Sequence, residues 1–214
     1  MPVQASGACV RPDTGVAAGD RIRQSERIVT ELRCYVGLRA KAAFPLKVLE
    51  TERLAVRWLN AEDAGFILQL VNEPAWKLYI GDFGVRTLDE ARGYIEKGPV
   101  AMYARHGFGL YLVELRETGV PIGICGLIKR EALEDVDLGF AMLQEFRRKG
   151  YAYEASLAVL SYGRLAFQLT RIVAVLSRDN EPSTRLLEKL GFRFERLVRL
   201  KPEADEVSLF ATGL

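Results

Sequence analysis

The chain has 214 residues, 49% of them hydrophobic and 27% charged, the balance of a globular protein able to build one sizeable core. Thirty basic against 28 acidic residues leave a net charge of +2, too even for a general nucleic-acid surface, so no nucleic-acid partner is expected and any basic site must be local. Three cysteines (Cys9, Cys34, Cys125) and the lone His106 have no metal-ligand spacing, no apolar run is long enough to span a membrane, and no secretory signal opens the chain; no metal, disulfide framework or membrane partner is expected, and the location expected is cytoplasmic.

Residues 1–47 differ from the rest of the chain, with scattered glycines, eight Lys or Arg against four Asp or Glu, and little periodicity. Ile28, Val29, Leu32, Tyr35 and Val36 would share one face of a short helix, but the stretch is read as a poorly ordered or appended extension. The folded domain is expected over 48–214. Leu54 to Leu59 alternates as a first strand, Asn60 caps a helix over Ala61 to Val71, and Asn72-Glu73-Pro74 ends it. A loop with Trp76, Tyr79, Gly81 and Gly84 is expected after it. Thr87 then forms a capping box with Glu90, and a second helix runs to about Lys97, closed by Gly98-Pro99. These two helices make a flap whose aromatic loop either lines a pocket or is packing.

Three strand runs come next, Gly107 to Glu114, Ile122 to Ile128 and Val136 to Leu143, joined by turns as an antiparallel meander. Cys125 in the middle run reads as a small buried thiol, and His106 as a loop residue without a role. The third run leads into Arg147-Arg148-Lys149-Gly150-Tyr151-Ala152 and then a helix from Tyr153 to Leu169 with apolar residues at helical spacing. Strand, basic glycine loop and helix N-terminus aim backbone N–H groups and a positive dipole end at one point, which suits a phosphate or pyrophosphate. By itself the loop is equally an ordinary connection with solvated charges. Ile172 to Leu176 is a short buried strand beside a parallel neighbour, reached by a right-handed crossover. Asn180 and Pro182 open a helix that stops at Gly191, and Phe192 to Leu200 with Val207 to Ala211 form a closing hairpin.

In this order, four segments resemble the Gcn5-related N-acetyltransferase (GNAT) superfamily, in its RimJ/RimL-like branch. They are Leu49-Glu50-Thr51-Glu52-Arg53-Leu54; Asp137-Leu138-Gly139-Phe140; Arg147-xx-Gly150-x-Ala152 with Glu154-Ala155; and Asn180-xx-Ser183 with Leu186-Leu187-Glu188-Lys189-Leu190-Gly191-Phe192. The likeness spans about 48 to 212. It implies an α/β (α+β) GNAT fold, a mixed, mostly antiparallel central sheet with splayed parallel strands flanked by helices. It also implies acetyl-CoA as acetyl donor. The pyrophosphate would be held by Arg147, Arg148, Lys149, Gly150, Tyr151 and Ala152, and the pantetheine arm by backbone groups of Ala141, Met142 and Leu143, with Asn180 and Ser183 beside it.

The reaction so implied is direct attack of a primary amine on the thioester. Asp137 would accept the amine's proton, unless it is a solvated edge residue. Relatives often protonate the thiolate with a tyrosine where this chain has Leu187; Ser183 is the nearby hydroxyl that could replace it, though helix capping explains it as well. A model α-amine titrates near about 8 and lysine near about 10.4, so weak base candidates favour an α-amino acceptor, on a protein N-terminus or a small molecule. The alternative is a non-catalytic acyl-CoA-binding sensor or interaction module. Monomer and homodimer both stay open.

Overall fold

The computed structural model describes residues 47–213; the N-terminal stretch with its helical face at Ile28 to Val36, and Cys9 and Cys34, lies outside them. Strands β1 (Lys47–Glu50), β2 (Leu54–Trp58), β3 (Leu110–Leu115), β4 (Pro121–Ile128), β5 (Val136–Met142), β6 (Arg171–Leu176), β7 (Arg193–Val198) and β8 (Val207–Gly213) form one sheet. Its order is β1-β2-β3-β4-β5-β6-β8-β7, and every neighbouring pair is antiparallel except β5 and β6. The meander β3-β4-β5 is as the turns predict. The closing hairpin is also formed, but its second strand lies against β6, which leaves β7 at the edge.

The start of the domain holds two strands where one was expected. Thr51 makes the turn between them, its N–H donating to the Leu54 carbonyl at 2.9 Å and its Oγ1 accepting the Leu54 N–H at 3.0 Å. Asn60 caps a 3-10 turn, Ala61–Asp63, that runs into α1 (Ala64–Val71). Beyond it, Trp76 and Tyr79 belong to a helix, α2 (Pro74–Tyr79), rather than a loop. Pro74 sits at the first helical position, where its missing N–H costs nothing and its fixed φ favours the helix, so the proline that ends α1 also begins α2.

The Thr87–Glu90 capping box opens α3 (Leu88–Ile95) as expected. Gly98-Pro99 does not close the helical path. It passes through a π turn, Glu96–Val100, into α4 (Ala101–His106), the wider turn absorbing the carbonyl that Pro99 cannot satisfy. His106 is the last residue of α4, exposed, with its ring stacked on Phe108.

Alternate strand residues face opposite sides, and both sides are covered. The long helix α5 (Tyr151–Phe167) packs Ala155, Val159 and Leu160 on Tyr111, Cys125, Leu127 and Leu138. The flap packs Ile67, Leu70, Trp76 and Ile95 on Leu112, Ile124 and Leu143. Trp76 is therefore core, in line with the packing alternative. Cys125 is fully buried 3.6 Å from Ser156 Oγ, and burial pushes its thiol up to about 12, so it is no nucleophile. The last helix, α6 (Glu181–Lys189), comes after β6.

Candidate active site

The site lies where β5 and β6 part. They pair as parallel strands only at Val136 with Ile172 and Asp137 with Val173, after which β5 stays with β4 and β6 stays with β8. Divergence strips Val175 of a β5 carbonyl, and Asp137 Oδ1 accepts its N–H at 3.2 Å instead. Asp137 Oδ2 accepts from Arg130 Nε at 2.6 Å. Asp137 is thus no solvated edge residue: it is 1% exposed, and burial raises its carboxyl to about 6 against the opposing pull of the Arg130 charge and both hydrogen bonds.

Past Asp137, β5 offers an open edge. Leu143 N–H donates to the Ile122 carbonyl at 2.9 Å, and antiparallel alternation then turns Ala141 toward β4 as well. The groups facing the gap belong to Phe140 and Met142. Of Ala141, Met142 and Leu143, only Met142 is oriented as expected for pairing with a pantetheine arm, and its carbonyl already accepts Arg147 Nε at 2.8 Å.

At the end of β5 a 3-10 turn, Gln144–Phe146, leads into the basic loop. Arg148 (φ 61°) and Gly150 (φ 84°) both take left-handed conformations just before α5 begins at Tyr151. Among the described residues, the backbone N–H groups of Arg148, Lys149 and Gly150 donate to no protein acceptor. They precede the free N–H groups of the first turn of a 17-residue helix. Unpaired N–H groups ahead of a helix N-terminus are an arrangement able to hold an anion. A side chain at Gly150 would be strained and would bring its Cβ within 3.3 Å of Arg53 Nη2.

Two long-range clamps hold the cradle, and neither was foreseen from sequence. Glu154, one turn into α5, accepts from Thr51 Oγ1 at 2.5 Å, from Arg53 N–H at 3.0 Å and from Arg53 Nε at 2.7 Å. Burial opposes its ionisation, yet these hydrogen bonds hold the carboxyl below its ordinary range. Arg53 also donates to the Lys149 carbonyl at 3.1 Å and lies over the Tyr151 ring at 4.6 Å. On the other side, Glu73 at the head of α2 accepts the Gln144 N–H at 2.8 Å and pairs with the Arg147 guanidinium. Arg147 therefore points to the flap, not into the cradle. Lys149 Nζ sits 5.4 Å above the Phe146 ring.

Asn180 caps α6, its Oδ1 accepting the Ser183 N–H at 3.2 Å. Among the described residues, Asn180 Nδ2 and Ser183 Oγ have no hydrogen-bond partner, so both are available to a ligand. Leu187, where relatives carry tyrosine, is fully buried in the core. No His, Cys, Asp or Glu group among the described residues is arranged to hold a metal.

A sheet split between two parallel strands, with an anion cradle at the carboxyl end of one of them, is the architecture of an acetyl-CoA-dependent acetyltransferase of the GNAT type. The sequence matches the family model "Acetyltransferase (GNAT) domain" over residues 53–193. The chain belongs to that family. It is 31% identical to the Bacillus subtilis protein described as uncharacterized N-acetyltransferase YoaA, over 71% of this chain and 86% of the relative. The crystal structure of an acetyltransferase from Agrobacterium tumefaciens superposes with a TM-score of 0.65 at 26% identity, covering 82% of this chain and 99% of that one. RimL, a ribosomal L7/L12 alpha-N-protein acetyltransferase, shares the fold at 16% identity, with a TM-score of 0.66 over 83% of this chain and 99% of its own. The protein is thus an acetyl-CoA-dependent acetyltransferase of the GNAT family, with a fold that RimL shares.

The residues present fit that donor. Orphaned N–H groups at Arg148 to Gly150, a glycine whose Cβ would crowd the loop, and a free β5 edge are what a pyrophosphate with an extended arm needs. No helix among the described residues is long and apolar enough to cross a membrane.

Proposed function

We propose that the enzyme acetylates an α-amino group by direct attack on the thioester, with Asp137 as proton acceptor. The observation carrying this reading is the place of Asp137: a buried carboxylate at the point where the strands part, with a pKa near the operating pH. Acetyl-CoA supplies an activated acetyl group. The backbone of Arg148 to Ala152 binds its pyrophosphate, and Phe140 and Met142 together with Asn180 Nδ2 line the arm. Ser183, whose hydroxyl is uncommitted, hands a proton to the departing sulfur. Leu187 has no part in that step, being sealed in the core.

Arg147 and Lys149 act differently: the former braces the loop through Glu73, and the latter adds positive potential. Residues 48–214 are taken as the catalytic domain and 1–47 as an extension, in a cytoplasmic enzyme, monomeric or dimeric. The acceptor is an α-amine because a group titrating near about 8 needs only a modest base. The test is coenzyme A release from acetyl-CoA over a panel of α-amines, lysine side chains and aminoglycosides. Release with α-amines supports the reading; release only with the other two classes refutes it.

A further inference from the structure

Arg130, just beyond β4, lays its Nε on Asp137, yet its side chain stays 36% exposed while that of Asp137 is 1% exposed. Among the described residues neither Nη nitrogen of Arg130 has a hydrogen-bond acceptor. One edge of the guanidinium is thus committed to the buried acid, and two nitrogens remain open beside it. Asp135, in the same turn, does not compete for them: it accepts from Arg171 at 2.9 Å.

Side by side, then, stand a proton acceptor (Asp137) and open donors for an anion (the two Nη groups of Arg130). A guanidinium fork matches a carboxylate in a way that the amide of a peptide does not.

We infer that the acceptor is a free α-amino acid, its carboxylate held by the open Nη groups of Arg130 while a proton of its amine passes through water to the buried Asp137. This rests on the proposed role of Asp137. The ammonium gives one proton to Asp137, and its nitrogen bonds to the thioester carbonyl carbon. The carbon–sulfur bond breaks, and sulfur leaves as the thiol after taking a proton. The products are an N-acetylamino acid, coenzyme A and one proton released to solvent. A protein N-terminus would leave the open nitrogens of Arg130 facing an amide, so it is not the acceptor.

Coenzyme A release is to be measured with each common L-α-amino acid beside its own carboxamide. Charge-assisted hydrogen bonds of this kind predict that at least one acid exceeds its amide in kcat/KM by about 10- to 100-fold, chiefly through KM. Arg130→Gln should collapse that ratio toward one, and Arg130→Lys should restore part of it. The ratio is taken within one sample, so a smaller folded fraction cancels. Equal use of acid and amide, a ratio that survives Arg130→Gln, turnover of peptide N-termini alone, or no turnover of any amino acid would each overturn the inference. Asp137→Asn should slow acid and amide alike. Were it to change no rate while the Arg130 ratio held, the base assignment would fall and the carboxylate site would stand.

Discussion

Replacing Asp137 with Asn tests the chemistry at the split strands most sharply, because the structure sets its size. Asparagine keeps an oxygen for the Val175 N–H but cannot accept both Arg130 and a proton. General bases contribute about 10²- to 10⁴-fold. An α-amine titrating near 8 is already about one-tenth neutral at pH 7, so the loss should fall at the low end, about 10²-fold in kcat. A lysine near 10.4 would be only about one part in 2,500 neutral, and the loss would exceed about 10³-fold. In the wild type, kcat should fall as pH drops through about 6, where Asp137 takes up its proton. The variant should lack that limb and keep only the acceptor's own ionisation, with acetyl-CoA affinity unchanged. A variant of wild-type rate, or one that retains the limb near 6, refutes Asp137 as the base.

The same group gives a stability prediction. Burial raises the folded carboxyl from 3.8 to about 6, so the folded state holds this proton more tightly than the unfolded chain does. The contribution is fully present below about pH 3.8 and is lost as pH rises through about 6, on the order of 3 kcal/mol; Asp137→Asn should remove that part of the pH dependence in denaturant titrations. Gly150→Val places a β-branched residue at φ 84° against Arg53 and should weaken acetyl-CoA binding at least about 10-fold by calorimetry, wild-type affinity being the contrary result. Glu73→Ala frees Arg147 and uncaps the Gln144 turn; acetyl-CoA affinity should drop about 5- to 10-fold with kcat for bound substrates little changed, and an unaltered affinity would deny the brace. Leu187→Tyr should not supply an acid. It overfills a fully buried site and should cost about 1–3 kcal/mol in chemical denaturation without raising kcat.

Local pattern made much of this readable. The period-two runs of β3 to β5, the capped helices and the glycine before α5 are properties of neighbouring residues, and they appear at nearly their expected bounds. Asn72-Glu73-Pro74 does end α1, though Pro74 also starts α2; Gly98-Pro99 is no stop, because Pro99 is housed in a π turn that continues the path into α4. The cradle was legible as a motif, but the direction of Arg147 was not. It depends on Glu73, and the bracing of the loop on Arg53 and Glu154, partners brought together only by the fold. Backbone alternation on β5, which favours Phe140 and Met142 over Ala141 and Leu143, needs the register with β4. Arg130 carried no signal in sequence, since a lone arginine in a turn acquires meaning only beside Asp137.

Acetyl transfer to an α-amine is tested most directly by mass spectrometry of the acceptor after incubation of the purified protein with acetyl-CoA and mixed amines at pH 7. The predicted result is one acetyl group on an α-nitrogen for each coenzyme A released, abolished to background by the combined Gly150→Val and Asp137→Asn substitutions. Coenzyme A released without an acetylated amine, or acetyl found only on lysine side chains, would contradict it.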